Sequence, residues 1–188
     1  MININTQWDG IKMAENRVDP TITGIFLIAF ITLAVGLVGL LAAMENAAGF
    51  DGFLALNDTL VNYCALAFLL LAIVAAYVGN SFSTALFAIV GISMYAADDF
   101  ILCIISAVLF IVFGLVSLLN GSPKLLFIIL LFVALMYFIL GIFANSVTGE
   151  LADGDLVYGW LFGIFGLLAG VMSIYLGLAL TTQKLPVF

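Results

Sequence analysis

The chain has 188 residues, of which 66% are hydrophobic and only 8% charged, with eleven acids, four bases, no histidine and a net charge of −7. Soluble domains carry about 25% charged residues, and a core of soluble-domain size cannot hide this much apolar surface. Composition therefore excludes a soluble globular protein, and four scattered bases exclude the basic patch that a nucleic-acid partner requires.

Residues 1–19 are polar and mixed in charge and lack the apolar core of a cleavable signal peptide, so they read as a cytoplasmic N-terminal segment. The first apolar run, about 20–44, opens with Asp19, a capping residue, and Pro20, whose missing N–H suits a first helical turn. A loop from Glu45 to Ala55, with two glycines and two acids, leads to a second run, about 56–78, which Gly79-Asn80-Ser81 turns back. Ser83 to Leu119 is then 37 residues with one polar break, Asp98-Asp99. A single helix of that length would reach ~55 Å, nearly twice a ~30 Å hydrocarbon core. Two adjacent carboxylates in mid-bilayer would also be very costly. The chain is expected to turn there, giving a short third span, about 82–97, and a fourth, 100–119. Asn120-Gly121-Ser122-Pro123-Lys124 is a strong turn signal. The fifth span, 125–144, the acidic loop 145–155, the sixth span, 156–180, and a cytoplasmic tail, 181–188, complete the chain.

The expected fold is thus an all-α integral membrane protein, a six-transmembrane-helix bundle over residues 20–180 in a multi-pass arrangement. Charge sets its orientation. With six spans, Lys12, Arg17, Lys124 and Lys184 all fall on one side, which the bias of short basic loops makes the cytoplasm. Glu45, Asp51, Asp58, Asp98, Asp99, Glu150, Asp153 and Asp155 fall on the other, while Asp9, Glu15 and Asp19 stay inside. Both termini are then cytoplasmic and the acid forms a layer on the outer face.

No ionisable Lys, Arg, Asp or Glu lies well inside any span, and the polar interior consists of Asn62, Thr and Ser hydroxyls and the phenols Tyr63, Tyr77, Tyr95, Tyr137 and Tyr175. Pumps and active transporters usually place ionisable groups at membrane depth. Nucleophilic catalysis lacks a plausible base here, and a metal lacks ligands, so neither an enzyme nor a cofactor is expected. A path without fixed charge suits a small solute that is neutral or becomes so by protonation. Cys64 and Cys103 at mid-span read as small hydrophobes. Phe26 and Phe30 share a helix face, as Phe87 and Tyr95 do approximately, and such rings either pack on neighbours and lipid or line a pore. Tyr158, Trp160 and Tyr175 suit interfacial anchoring. Gly159, Gly163, Gly166, Gly170 and Gly177 allow close helix approach, either inside one protomer or at a subunit seam. A cyclic homo-oligomer would bury that face.

From Asp19 to Phe188 the chain resembles the acetate uptake transporter family, the succinate–acetate permeases. The family's Asn-Pro-Ala-Pro-Leu-Gly-Leu signature is matched by Asp19-Pro20-Thr21-Ile22-Thr23-Gly24-Ile25, and its Gly-Asn-Thr-Phe turn by Gly79-Asn80-Ser81-Phe82. Its glycine-rich last span is similar to Gly159-Trp160, Gly166, Gly170, Tyr175-Leu176 and the closing Leu185-Pro186. The family's aromatic constriction would fall near Ile28, Val90 and Phe132, of which only Phe132 keeps a ring. The resemblance implies a hexamer with one pathway per protomer, moving acetate and related short carboxylates.

The resulting expectation is passage of acetate or acetic acid across the cytoplasmic membrane, by a channel-like or proton-linked route. Pro20, Thr21, Thr23 and Phe26 would line the cytoplasmic mouth, with Ile28, Val90 and Phe132 nearer the narrow point. A urea or short-amide channel is the alternative within transport, although acid-gated members of that class rely on periplasmic histidines that this chain lacks. A non-transporting structural or assembly protein is the third reading, since an evenly apolar bundle is also what a scaffold would show. The expected partners are the solute, membrane lipid and further copies of the chain, six-fold symmetry being favoured.

Overall fold

A computed structural model of the chain describes residues 19–44, 50–95, 99–146, 155–182 and 185–186. Among these residues the elements are six α-helices: α1 (Pro20–Met44), α2 (Phe50–Val78), α3 (Ser81–Tyr95), α4 (Phe100–Leu119), α5 (Lys124–Ser146) and α6 (Asp155–Thr182). Five of them are long and apolar enough to cross a membrane, and α3 is an apolar helix of 15 residues. The expected segment before Asp19, Lys184, Asp98 and most of both acidic loops lie outside the described residues.

The turn chemistry read from the sequence sets most boundaries. Asp19 Oδ1 accepts from the Thr21 amide at 2.9 Å and caps α1, leaving Pro20 in its first turn. Gly79 ends α2 with φ of 84°, its N–H bonded to the Ala76 carbonyl at 3.0 Å while the Asn80 N–H reaches Ala75 at 2.9 Å. Gly121 does the same for α4, with φ of 73° and bonds from Gly121 to Leu118 and from Ser122 to Ser117. Both are left-handed caps that satisfy the last carbonyls, and glycine adopts them without a Cβ clash. Asp99 begins α4, its carboxylate accepting from the Leu102 amide at 2.9 Å.

Three boundaries differ from expectation. Helix α2 starts at Phe50, inside the stretch read as a loop to Ala55. Hydropathy marks where a helix leaves the apolar layer, whereas the backbone continues as helix beyond it. For the same reason α5 and α6 reach Ser146 and Thr182, past the apolar runs. Helix α3 is described to Tyr95, and its expected end at Ala97 lies outside the described residues.

Neighbours in sequence pair as hairpins, α2 with α3 and α4 with α5, while α6 packs on α5 and, most extensively of all, on α1. Helix α1 also touches α2, so the helices follow one another around the bundle as α3, α2, α1, α6, α5, α4, and the two ends of that series, α3 and α4, meet only lightly. One apolar core joins all six, centred on Ile28, Phe68, Phe87, Phe110, Leu130 and Leu176.

The α1–α6 contact is built from glycine. Gly36 and Gly166 face each other, with a Cβ at Gly166 falling 2.7 Å from Gly36 Cα and 2.9 Å from the Thr32 carbonyl oxygen. Gly159 lies on Gly39 and Ala43, Gly163 on Leu40, Gly170 on Leu33 and Gly177 on Phe26. The partners run in opposite directions along the two helices, so α1 and α6 are antiparallel and the ends at Pro20 and Thr182 share one end of the bundle. The glycine face of α6 is therefore covered from within the protomer. It is not left to lipid, which was the argument for a partner subunit there.

Candidate solute pathway

Helix α3 carries one buried stripe, Ser83, Leu86, Phe87, Val90, Gly91 and Ser93. A hydroxyl stands at each end and the side chains between them are apolar. Ten residues separate the two serines, or ~15 Å along the axis.

At the first end Ser83 is only 1% exposed. Its Oγ lies 2.8 Å from Thr21 Oγ1 on α1, and Thr21 Oγ1 also accepts from Asn80 Nδ2 at 3.2 Å. Asn80 Oδ1 caps α3 by accepting the Ser83 amide at 3.1 Å, and the Asn80 carbonyl accepts the Thr84 hydroxyl at 2.8 Å. Two stretches singled out in sequence, Asp19-Pro20-Thr21 and Gly79-Asn80-Ser81-Phe82, thus meet through side chains. Pro20 is buried beside them and Thr21 half-buried.

Above this junction Phe87 lies over Gly24, filling the space a side chain on Gly24 would need, and meets Phe68 with ring centroids 6.1 Å apart. Ile28 and Val90 are buried in the same core, and Phe132 packs on it from α5 while stacking on Phe165 of α6 at 5.7 Å. The three positions expected near a constriction therefore belong to one apolar cluster, with Phe87, Phe68 and Phe110 supplying its largest fully buried rings.

At the far end the Ser93 hydroxyl donates to the Val90 carbonyl at 3.0 Å. The Tyr137 phenol from α5 lies within hydrogen-bonding reach of Ser93, and Cys103 of α4 packs on Gly141, one turn further along α5. Tyr137 also packs its ring on Phe110, with centroids 5.4 Å apart.

Two of the expected mouth residues stand elsewhere. Thr23 is exposed, and Phe26 turns outward across α6 onto Gly177. Helical spacing explains this: Thr21, Gly24 and Ile28 share the face toward α3, whereas Thr23, Phe26 and Phe30 share the other. Phe87 and Tyr95 also part company, the first fully buried and the second exposed. Ser83, Ser93 and Tyr137 stand in the sequence only as polar residues in apolar runs, whereas Asn80 is marked by its place in the Gly-Asn-Ser-Phe turn.

Three other buried hydroxyls are satisfied within their own helices. Thr32, Ser117 and Ser173 donate to carbonyls of their own helices, at Ile28, Gly114 and Ala169. Cys64 and Cys103 are buried and form no disulfide. Asp19, Asp99 and Lys124 each stand at a helix end. An open, apolar-walled groove of about 470 Å³ runs between α1 and α2, lined by Phe30, Thr59, Leu60, Tyr63, Cys64 and Ala67. Set against known protein families, curated proteins and solved structures, the chain gives no match in any of the three.

Proposed function

We propose that this protein passes a small monocarboxylate, acetate or acetic acid, across the cytoplasmic membrane. Its six helices cross the bilayer, both termini face the cytoplasm, and it assembles as a homo-oligomer, six-fold by its resemblance to the acetate uptake family. The observation that carries the reading is the buried stripe of α3, with Thr21–Ser83 at one end, Ser93–Tyr137 at the other and an apolar plug at Ile28, Phe87 and Val90 between. Hydroxyls at each end give a small polar solute hydrogen-bonding partners, and the apolar middle disfavours a hydrated ion. A carboxylic acid crosses such a plug in its neutral form.

The same structure gives support to a second reading. Phe68, Phe87 and Phe110 fill the core, and Thr32, Ser117 and Ser173 bond their own backbones, as in a scaffold that moves nothing. Purified protein in proteoliposomes separates the two. Labelled acetate should enter faster than into empty liposomes, and more so at about pH 5 than at about pH 8, where carboxylic acids are fully ionised. Flux equal to that of empty liposomes at both values favours the scaffold. Urea-driven swelling of the same liposomes without acetate flux favours the amide channel.

A further inference from the structure

Between its two hydroxyl pairs the core is filled: Phe68, Phe87 and Phe110 are fully buried there, with Ile28 and Val90 among them. A solute on this path meets packed rings, so an element must move to admit it. The six helices do not hold one another equally. Inside the α2–α3 hairpin, α3 presses its backbone onto α2, and a Cβ at Gly91 would fall 3.0 Å from the Ala65 carbonyl oxygen. Inside a block of α1, α6, α5 and α4 the same closeness recurs. Gly36 lies on the backbone of Gly166 and Leu167, Gly141 faces Cys103 Cβ at 2.9 Å and the Phe100 carbonyl oxygen at 3.4 Å, and Phe132 stacks on Phe165. Between hairpin and block every helix contact is thinner than any inside the two units. These joints are made by side-chain ends: the Thr21 and Ser83 hydroxyls, the Phe82 and Phe113 rings with centroids 6.0 Å apart, and the Phe87 ring over Gly24. The open groove between α1 and α2 lies along one of them. Close backbone contact resists displacement, whereas ring and hydroxyl ends can follow a change of rotamer. The hairpin's chain connections, after Met44 and after Tyr95, both leave from the end of the bundle opposite Pro20. Its Gly79–Asn80 turn is held to the block by side chains alone, Asn80 Nδ2 reaching Thr21 Oγ1 at 3.2 Å.

We propose that the α2–α3 hairpin is a gate, which swings at its Gly79–Asn80 tip against a fixed block of α1, α6, α5 and α4. The swing lifts the buried stripe of α3, with Ser83, Phe87 and Val90, from the α1 face that carries Thr21, Gly24 and Ile28. Because the apolar plug lies along this joint, moving one unit opens it from the tip end. The solute admitted rests on the transport reading, whereas the motion itself does not.

The test uses full-length protein in proteoliposomes, spin-labelled at pairs of introduced cysteines and diluted with unlabelled protein. Distances are read by double electron–electron resonance with and without acetate, beside labelled acetate uptake by the wild type. Labels at Tyr77 and Leu119, both exposed, measure the tip against α4, and labels at Leu119 and Leu178 measure the block alone. The tip pair should show two distance populations and the block pair one. Gly24→Ala drives a methyl into the Phe87 ring and should shift the tip pair toward its longer distance, and Gly24→Ala with Phe87→Leu should return it. If Gly24→Ala does not fold, the two labelled pairs decide alone. A single tip population in both conditions overturns the gate, and acetate uptake then leaves transport standing through a fixed path. Two tip populations that Gly24→Ala leaves unchanged place the motion away from this joint and overturn it too. Two populations that respond to Gly24→Ala, without wild-type uptake, keep the gate and overturn the transport reading. A single population without uptake overturns both.

Discussion

At Gly166 a methyl group would meet backbone on both sides, Gly36 Cα at 2.7 Å and the Thr32 carbonyl oxygen at 2.9 Å. Backbone cannot rotate away, so Gly166→Ala must push α1 and α6 apart. At Gly170 the same methyl meets the Leu33 side chain first, and a leucine can change rotamer. Gly166→Ala is therefore expected to cost about 1–3 kcal/mol of stability and Gly170→Ala about 1 kcal/mol or less, read as thermal unfolding in detergent. Equal losses would show that close backbone approach is not what holds this pair. The spacing of these glycines was legible in the sequence, but their partner was not. A small-residue face says that some backbone comes near, and Gly36 and Gly39 on α1 are too few to announce themselves as that backbone. Thr21 and Ser83, 62 residues apart, pose the same difficulty: each is an ordinary hydroxyl until packing brings them to 2.8 Å.

Among the helices, α4 owes its N-terminal cap to Asp99. Its carboxylate accepts the Leu102 amide at 2.9 Å, and its carbonyl accepts the Cys103 amide at 2.9 Å. The cap satisfies one of the first donors of a helix whose first turn, Phe100–Cys103, is wholly apolar. Asp99→Ala should cost about 0.5–2 kcal/mol and Asp99→Asn only a few tenths, since asparagine caps comparably. Thermal unfolding of the two variants side by side checks this, and a loss as large in Asp99→Asn would assign the effect to charge. This turn could be placed from sequence because its argument was one of length: no helix of 37 residues fits the bilayer. The start of α2 had no such constraint. Glycine and acid in Glu45–Ala55 looked like a loop, yet Asp51 and Gly52 lie within the first turn of a helix that begins at Phe50. Acid near a helix start is favoured by the macrodipole, so a residue that signals a polar loop also suits a helix entering from water.

For the whole molecule, the decisive question is whether α3 crosses the membrane. Its 15 residues rise ~22 Å, less than a ~30 Å hydrocarbon core, and length alone would leave five crossings. Packing argues for six. Helices α1 and α6 are antiparallel along their length, from Phe26–Gly177 to Ala43–Gly159, so the chain enters and leaves the bundle at one end, which requires an even number of crossings. Helix α3 also lies antiparallel to α2, with Phe68 on Phe87 and Gly91 against Ala65 and Leu69. A local bilayer thinner by a few Å accommodates the short helix at modest cost. Single cysteines at Ser81 and Ser122 distinguish the two counts, because Cys64 and Cys103 are buried and contribute little background. With six crossings both new thiols lie on the cytoplasmic side. A membrane-impermeant maleimide should then label both in inside-out vesicles and neither in intact cells. With five crossings the turn after α2 and the turn after α4 fall on opposite sides, and one of the two would label from outside. That result would also place Lys124 across the membrane from the N-terminal bases and remove the charge asymmetry on which the orientation rests.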